Sequence, residues 1–299
     1  MRFRTTLAIS CLFVLTLACG GSSSSPGTSP SAASAELVQT DGRLNVAGTW
    51  ASIAASYLYT LPGGPSGMGT EQQTSDVRQF GEEVFLTSMN SSGYSGACRG
   101  KIRGKTVWLT CDTVSLDKTC TATGFPMVLT VDDTASPMTL TKSEQLTLGG
   151  DTCALAGLLL TGFGGTFTKQ SSPTLDVAGN WSGTAGPSTL TPPGVSLGAT
   201  TLTYTTVQTG SSVVQEITSP GNIAYTCAGP IIGDMIYTYC EGTFPPFAPA
   251  CNATGSVTQT VNANMTPLTE NVAYTWTLGS DCGSASGASL TGTGTDTRQ

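Results

Sequence analysis

The phrase "VAGTW" at Val46–Trp50 returns as "VAGNW" at Val177–Trp181, 131 positions further along. The repetition extends well beyond five letters. With Cys11 and Cys19 set aside as part of the N-terminal segment, the remaining cysteines fall as Cys98, Cys111, Cys120, Cys153 and then Cys227, Cys240, Cys251, Cys282. Their spacings are 13, 9 and 33 in the first set and 13, 11 and 31 in the second. Other features keep step with them. Gln79-Phe80-Gly81 matches Gln208-Thr209-Gly210, Gly100 and Gly104 match Gly229 and Gly233, and "TKQ" at Thr168–Gln170 matches "TRQ" at Thr297–Gln299. The chain therefore holds two tandem copies, 44–170 and 175–299, each the size of an ordinary domain. A link of about five residues, Gln170–Thr174, joins them.

Each copy reads as short strands separated by tight turns. Val272, Tyr274, Trp276 and Leu278 alternate with Ala273, Thr275 and Thr277, which is the period-two signature of a strand with one buried face. No sustained 3.6-residue apolar period competes with it. Gly81-Glu82 and Gly210-Ser211 suit type II′ hairpin turns. In the first copy eight strands are expected near 45–54, 72–80, 83–89, 94–103, 106–112, 125–132, 139–148 and 157–169. The Gly- and Pro-rich segments 56–70 and 187–199 are expected to be long loops after the first strand of each copy. The fold class is all-β: two tandem small antiparallel up-and-down β-barrels of about eight strands each, stapled by disulfides.

Gly48-Thr49-Trp50 and Gly179-Asn180-Trp181 resemble the G-x-W motif on the first strand of lipocalins and their calycin relatives, and an eight-strand meander is similar to theirs. The resemblance implies that Trp50 and Trp181 each plug one barrel end. It implies too that a basic residue late in each copy, Lys169 or Arg298, packs across the indole. It further implies a carrier role for a small apolar ligand.

Four cysteines per copy allow three pairings. A hairpin turning on Gly104-Lys105 sets Arg103 opposite Thr106 and, counting outward, Cys98 opposite Cys111; a turn on Gly233-Asp234 sets Cys227 opposite Cys240 in the same way. Cys120 and Cys153 flank a hairpin centred near Ser136-Pro137, and Cys251 and Cys282 one near Thr266-Pro267. Pro230 has no N–H where this register wants a donor, so a bulge or an edge position is expected there. Each bridge is worth roughly 2–4 kcal/mol. Paired cysteines at this density place the chain in an oxidising compartment outside the cytoplasm.

The N-terminal segment agrees. Arg2 and Arg4 precede the apolar run Leu7–Ala18, which is too short to be a stable membrane span and reads as a signal peptide over residues 1–18. "LTLAC" at Leu15–Cys19 resembles the lipobox of bacterial lipoproteins. That resemblance implies cleavage after Ala18 and a diacylglycerol on the Cys19 sulfur; an ordinary signal peptide cut nearby is the other reading. Residues 19–43, which include the Gly/Ser/Pro/Ala-rich stretch Gly20–Glu36, then form a flexible tether with a reach of roughly 25–30 Å. Gly20 rather than Asp after the cysteine favours the outer membrane, by analogy with the enterobacterial sorting rule. The expected location is the cell envelope, with the membrane as partner through Cys19.

Setting Arg2 and Arg4 aside, ten basic side chains face nineteen acidic ones, which is no electrostatic footprint for nucleic acid. No catalytic set is evident, so no enzyme is expected. The G-x-S-x-G spelling at Gly194–Gly198 lacks a His base, because the chain has no histidine. With no His and no C-x-x-C, no metal site is expected, and no phosphate loop calls for a cofactor. Glu82-Glu83 and Asp132-Asp133 read as solvated turn charges. Glu144 shares the strand position of Tyr274; it is expected at the barrel rim with Lys142 as partner, the alternative being a contact inside the barrel.

One face distinguishes the copies. Arg99, Lys101, Arg103, Thr106, Trp108 and Thr110 share a side in copy one, where Lys101 faces Trp108 and is placed to stack on it. The matching side of copy two is Ala228, Pro230, Ile232, Met235, Tyr237 and Tyr239, apolar enough for an interaction patch or for the contact between the two copies. Two partner classes stand open, a protein or a small apolar ligand. Barrel volume discriminates between them, since a filled interior argues for a structural role and an empty apolar one for a carrier.

Overall fold

The computed structural model describes residues 44–170 and 175–299. Cys19, the signal peptide and the tether lie outside the described residues. In the first copy the strands are β1 (Gly48–Thr60), β2 (Ser66–Phe80), β3 (Glu83–Asn90), β4 (Tyr94–Arg103), β5 (Thr106–Ser115), β6 (Thr121–Asp132), β7 (Thr139–Thr147) and β8 (Leu159–Lys169). Each pairs antiparallel with the next, and β8 returns to β1 through Trp50↔Lys169 and Tyr59↔Leu160, closing a barrel.

The second copy builds the same barrel with its first two strands broken. β9 (Gly179–Ala185) and β10 (Ser188–Thr191) make up the first, interrupted at Gly186-Pro187; β11 (Val195–Leu197) and β12 (Thr200–Thr209) make up the second. Then follow β13 (Ser212–Ser219), β14 (Ile223–Ile232), β15 (Met235–Thr243), β16 (Asn252–Asn262), β17 (Thr269–Leu278) and β18 (Ser289–Arg298). β18 pairs with both β10 and β9, through Leu190↔Leu290 and Trp181↔Arg298, and so completes the circle.

The repeated phrase builds the closed end of each barrel. Trp50 and Trp181 are fully buried, and each indole N–H donates to a backbone carbonyl four residues upstream, Val46 at 2.9 Å and Val177 at 3.0 Å. Gly48 and Gly179 sit at φ +122° and +132°, open to glycine alone, and Lys169 Cε and Arg298 Nε lie where their side chains would begin. The basic residues thus cross this end over the glycine and opposite the Trp. The matched glutamines belong to the same device. Gln79 Oε1 accepts from Val46 N at 2.8 Å while its Nε2 donates to Leu44 O and Gly81 O; Gln208 does the same with Val177 N, Leu175 O and Gly210 O. Each amide ties the entering chain to the first hairpin turn, whose Gly81 and Gly210 hold φ of +62° and +57°, the glycine-first geometry of a type II′ turn.

Four disulfides join Cys98–Cys111, Cys120–Cys153, Cys227–Cys240 and Cys251–Cys282, the pairs set by the hairpin registers. Two expectations are corrected. Segments 56–70 and 187–199 are mostly strand. β1 runs on to Thr60 and β2 starts at Ser66, because Tyr57 and Tyr59 lie over Gly69 and Gly67 of the partner strand. Glycines that read as loop are space for cross-strand rings. Pro230 needs neither bulge nor edge. β14 is an interior strand whose pairing to β15 lapses over Gly229 and Pro230 and resumes at Ile231 in unchanged register.

The outward face of β14 is covered. Ala228 is 1 % exposed and Pro230 is buried although both point away from the barrel interior, and β14 packs on β1, β2 and β3. Opposite them Ala51 and Thr74 are buried on the outer side of barrel one. Asp76 carboxylate accepts from Ser211 N and Oγ at 2.9 and 3.0 Å, and Thr74 Oγ1 donates to Ser211 O at 3.3 Å. The apolar side of copy two therefore makes the contact between the barrels. The cores stay separate, one around Trp50, Leu129 and Phe167, the other around Trp181, Ile236 and Trp276.

Candidate functional site

Both barrels are hollow at the end opposite the Trp. In barrel one a chamber of about 620 Å³ is lined by residues of β1–β8 and by the β5–β6 and β7–β8 turns, with Tyr239 and Glu241 of barrel two at its edge. Barrel two holds a chamber of about 220 Å³. The two share a scaffold and differ in where they keep their polar groups.

Inward residues stack in rungs because every second side chain of a strand faces the interior. In barrel one the rung above the Trp is apolar, with Leu129, Leu140 and Phe167 buried. The next rung is ionic. Lys142 is 6 % exposed, and its ammonium donates to Gln73 Oε1 at 2.7 Å and Glu144 Oε1 at 2.6 Å, with the Phe167 ring 5.7 Å away. Glu71 accepts from Asn90 Nδ2 at 2.8 Å; its partial burial pushes its pKa above the usual carboxylate range against the pull of Lys142. Lys142 and Glu144 are therefore partners, yet they sit within the chamber wall and not at the rim, because β7 carries them inward beside Gln73.

In barrel two the order is reversed. Register places Val272 where Lys142 stands, Tyr274 where Glu144 stands, Gln259 at Leu129 and Glu270 at Leu140. Directly above Trp181, whose ring stacks on Tyr204 at 6.1 Å, lie Tyr204, Gln259, Glu270 and Asp296, all at most 5 % exposed. Tyr204 hydroxyl is bonded to Glu270 Oε1 and lies 3.0 Å from Asp296 Oδ2, while Gln259 Nε2 donates to Glu270 Oε1 at 2.6 Å. Gly183 makes room for Asp296, whose Oδ1 occupies the place of a side chain there. Burial raises the pKa of Glu270 to about 7, helped by the charge of Asp296; burial likewise raises Asp296 and drives the Tyr204 hydroxyl far upward. Above this acidic floor the walls are mainly apolar. Tyr225, Phe244 and Trp276 meet edge to face at 4.8–4.9 Å about the Trp276 ring, and Leu202, Ile217 and Val272 lie beside them, while Ser188 and Tyr274, 2.8 Å apart at their hydroxyls, add polar groups to the wall.

Elsewhere the predicted groups are dispersed. Glu83 pairs with Lys101 at 3.1 Å and Asp133 with Lys105 at 2.5 Å, both on the surface. Lys101 thus carries its charge to Glu83, not onto the Trp108 ring. Ser196 lies on β11 in a strand-to-strand hairpin, without the strand-to-helix turn a nucleophile elbow needs. Among the described residues no group of three or more His, Cys, Asp or Glu is placed to hold a metal ion.

Sequence reasoning passed over Glu270 and Asp296. Parity was the available signal: Glu270 is two residues before Val272 in the inward series of β17, and Asp296 two before Arg298 in that of β18.

No family model matches the chain, and no curated protein matches it. Among solved structures it is similar to a protein of unknown function of the DUF3598 family from Nostoc punctiforme, at 13 % identity, covering 85 % of this chain and 96 % of that one with a TM-score of 0.25. It is similar also to a mutant of transferrin binding protein B from Haemophilus parasuis, at 8 % identity over 86 % of this chain and 77 % of that one, TM-score 0.31. A third is intact Ap-TbpB with its N and C lobes, at 8 % identity over 84 % and 76 %, TM-score 0.28.

Proposed function

We propose that this chain is a lipid-anchored binding protein of the bacterial cell envelope that holds small ligands inside its two barrels. The observation that carries the reading is the chamber of about 620 Å³ in barrel one. It lies within the roughly 300–1,000 Å³ of small-molecule sites, and its mix of apolar wall and a few converging polar groups is typical of them. The envelope assignment is supported by the lipobox-like end at Cys19, the Ser-rich tether and the four disulfides. Outward strand positions such as Thr201, Thr203 and Thr205 are exposed and polar, unlike the lipid-facing band of a membrane-spanning barrel.

The test is native mass spectrometry of the protein purified from its own host. The expected result is a mass above that of the lipidated chain, lost on denaturation in organic solvent. A bare mass, together with failure to take up an environment-sensitive dye such as 8-anilinonaphthalene-1-sulfonate, would overturn the carrier reading. A protein partner is the second reading. It is favoured by the outward face of barrel one, where Phe85 and Trp108 are 46 % and 57 % exposed.

A further inference from the structure

The acidic floor of barrel two is short of donors. Tyr204 offers one proton, and the Gln259 amide is directed at Glu270. Three buried oxygens remain without a hydrogen-bond partner: Gln259 Oε1, Glu270 Oε2 and Asp296 Oδ1. Gln259 and Asp296, 3 % and 4 % exposed, line the chamber. A proton shared between the two carboxyls supplies at most one of the missing donors, and a buried acceptor left unpaired is costly.

The described residues do not supply the remainder. Copy two contains seven acidic residues and a single basic one, Arg298. That guanidinium is spent at the closed end, where Nη1 donates to Asp176 O at 3.2 Å and Nη2 lies 3.7 Å from Asp176 Oδ2. Barrel one is the internal comparison, since there the buried ammonium of Lys142 serves Gln73 and Glu144 directly. In barrel two that position is Val272 and the position of Glu144 is Tyr274; the carboxylates stand one rung nearer the Trp, at the places of Leu140 and Phe167, and no cation among the described residues accompanies them.

Resting on the reading of barrel two as a ligand chamber, we propose that it binds a small organic ammonium ion, its N–H groups on Asp296 and Gln259, with the Glu270 carboxyl behind them, and its apolar body against Trp276, Tyr225 and Phe244. Size supports a single ring with a short aminoalkyl arm. An engineered cavity of about 150 Å³ holds benzene, and this one measures about 220 Å³. An ammonium above two carboxylates with aromatic edges and faces nearby is stabilised by both charge pairing and cation–π attraction. A bare divalent ion is a poorer fit, because calcium takes 6–8 oxygen ligands and the chamber above the floor is mainly apolar.

The test uses the full chain and isothermal titration calorimetry with three probes: 2-phenylethylamine, 2-phenylethanol and 3-phenylpropanoate. The amine is expected to bind at least tenfold more tightly than the alcohol, and the carboxylate not at all. The double substitution Glu270→Gln with Asp296→Asn should erase the amine's advantage while leaving alcohol binding in place. A second variant, Val272→Lys, places an ammonium in the wall as barrel one does and should weaken the amine by at least tenfold. Equal binding of amine and alcohol to the unaltered chain would overturn the cation inference and leave the chamber standing. Binding of none of the three by folded protein would overturn both for barrel two. Amine binding retained at full strength by both variants would place the amine elsewhere and equally refute the proposal.

Discussion

The stability of barrel two should fall as pH rises, and Glu270 should be the main cause. Its carboxyl moves from an ordinary 4.5 to about 7 on folding because burial disfavours the charged form. Below pH 4.5 both folded and unfolded chains hold the proton, and the contribution is fully present. Between 4.5 and 7 the folded chain keeps a proton that the unfolded chain has released, so stability declines by about 1.4 kcal/mol for each pH unit. Above 7 both have released it and the decline ends. The loss is on the order of 3 kcal/mol, a sizeable part of the 5–15 kcal/mol of a typical domain. It corresponds to a fall of roughly 10 °C in the melting temperature. Asp296, shifted upward for the same reason, adds to the slope, and Glu71 imposes one of the same sign on barrel one. The assay is scanning calorimetry of the soluble fragment 37–299 between pH 4.5 and 8. Glu270→Gln keeps an acceptor for Tyr204 and Gln259 and removes the titration, so the variant should flatten the pH dependence of the second transition and leave that of the first. An unchanged slope in the variant would refute the assignment.

Two further outcomes follow from features at the ends of the chain and of the barrel. Trp50→Ala removes a fully buried indole and leaves the Val46 carbonyl without its donor, so it should cost barrel one roughly 3–5 kcal/mol; because the cores are separate, calorimetry should show the first transition lowered by many degrees and the second little changed. Growth with a radiolabelled fatty acid should label the unaltered protein and not Cys19→Ser, and equal labelling would remove the anchor from the account.

What the sequence disclosed depended on whether local pattern and tertiary environment agreed. Cys98 and Cys111 were legible because a two-residue turn fixes hairpin register, and register fixes which residues face each other. Trp50 and Trp181 were legible because an invariant offset from a positive-φ glycine marks a backbone need as well as a side chain. The first hairpin of barrel one was not. Gly67 and Gly69 have two meanings, turn or room for a ring, and only the rings of Tyr59 and Tyr57 decide between them. The acidic floor was hidden for another reason. Glu270 and Asp296 lie on different strands in a polar local context, and nothing in either stretch announces the other. Their meeting is a product of barrel closure, which sets β18 beside β17.

The location of each barrel's chain ends bears on how such a protein arises and diversifies. Leu44 enters and Lys169 leaves barrel one at the Trp end, and Leu175 and Arg298 do the same in barrel two. A copy can therefore be appended in tandem through a link of a few residues, which reaches at most about 20 Å, without any strand crossing a mouth. Duplication of the whole unit leaves each ladder of backbone hydrogen bonds intact, and the clasp of Gln79 or Gln208 travels with its own copy. Substitution is then free to work inside. Moving the ionic rung by one step, from Lys142 and Glu144 in one barrel to Glu270 and Asp296 in the other, changes the chemistry of each interior while the shell around it is conserved between the two.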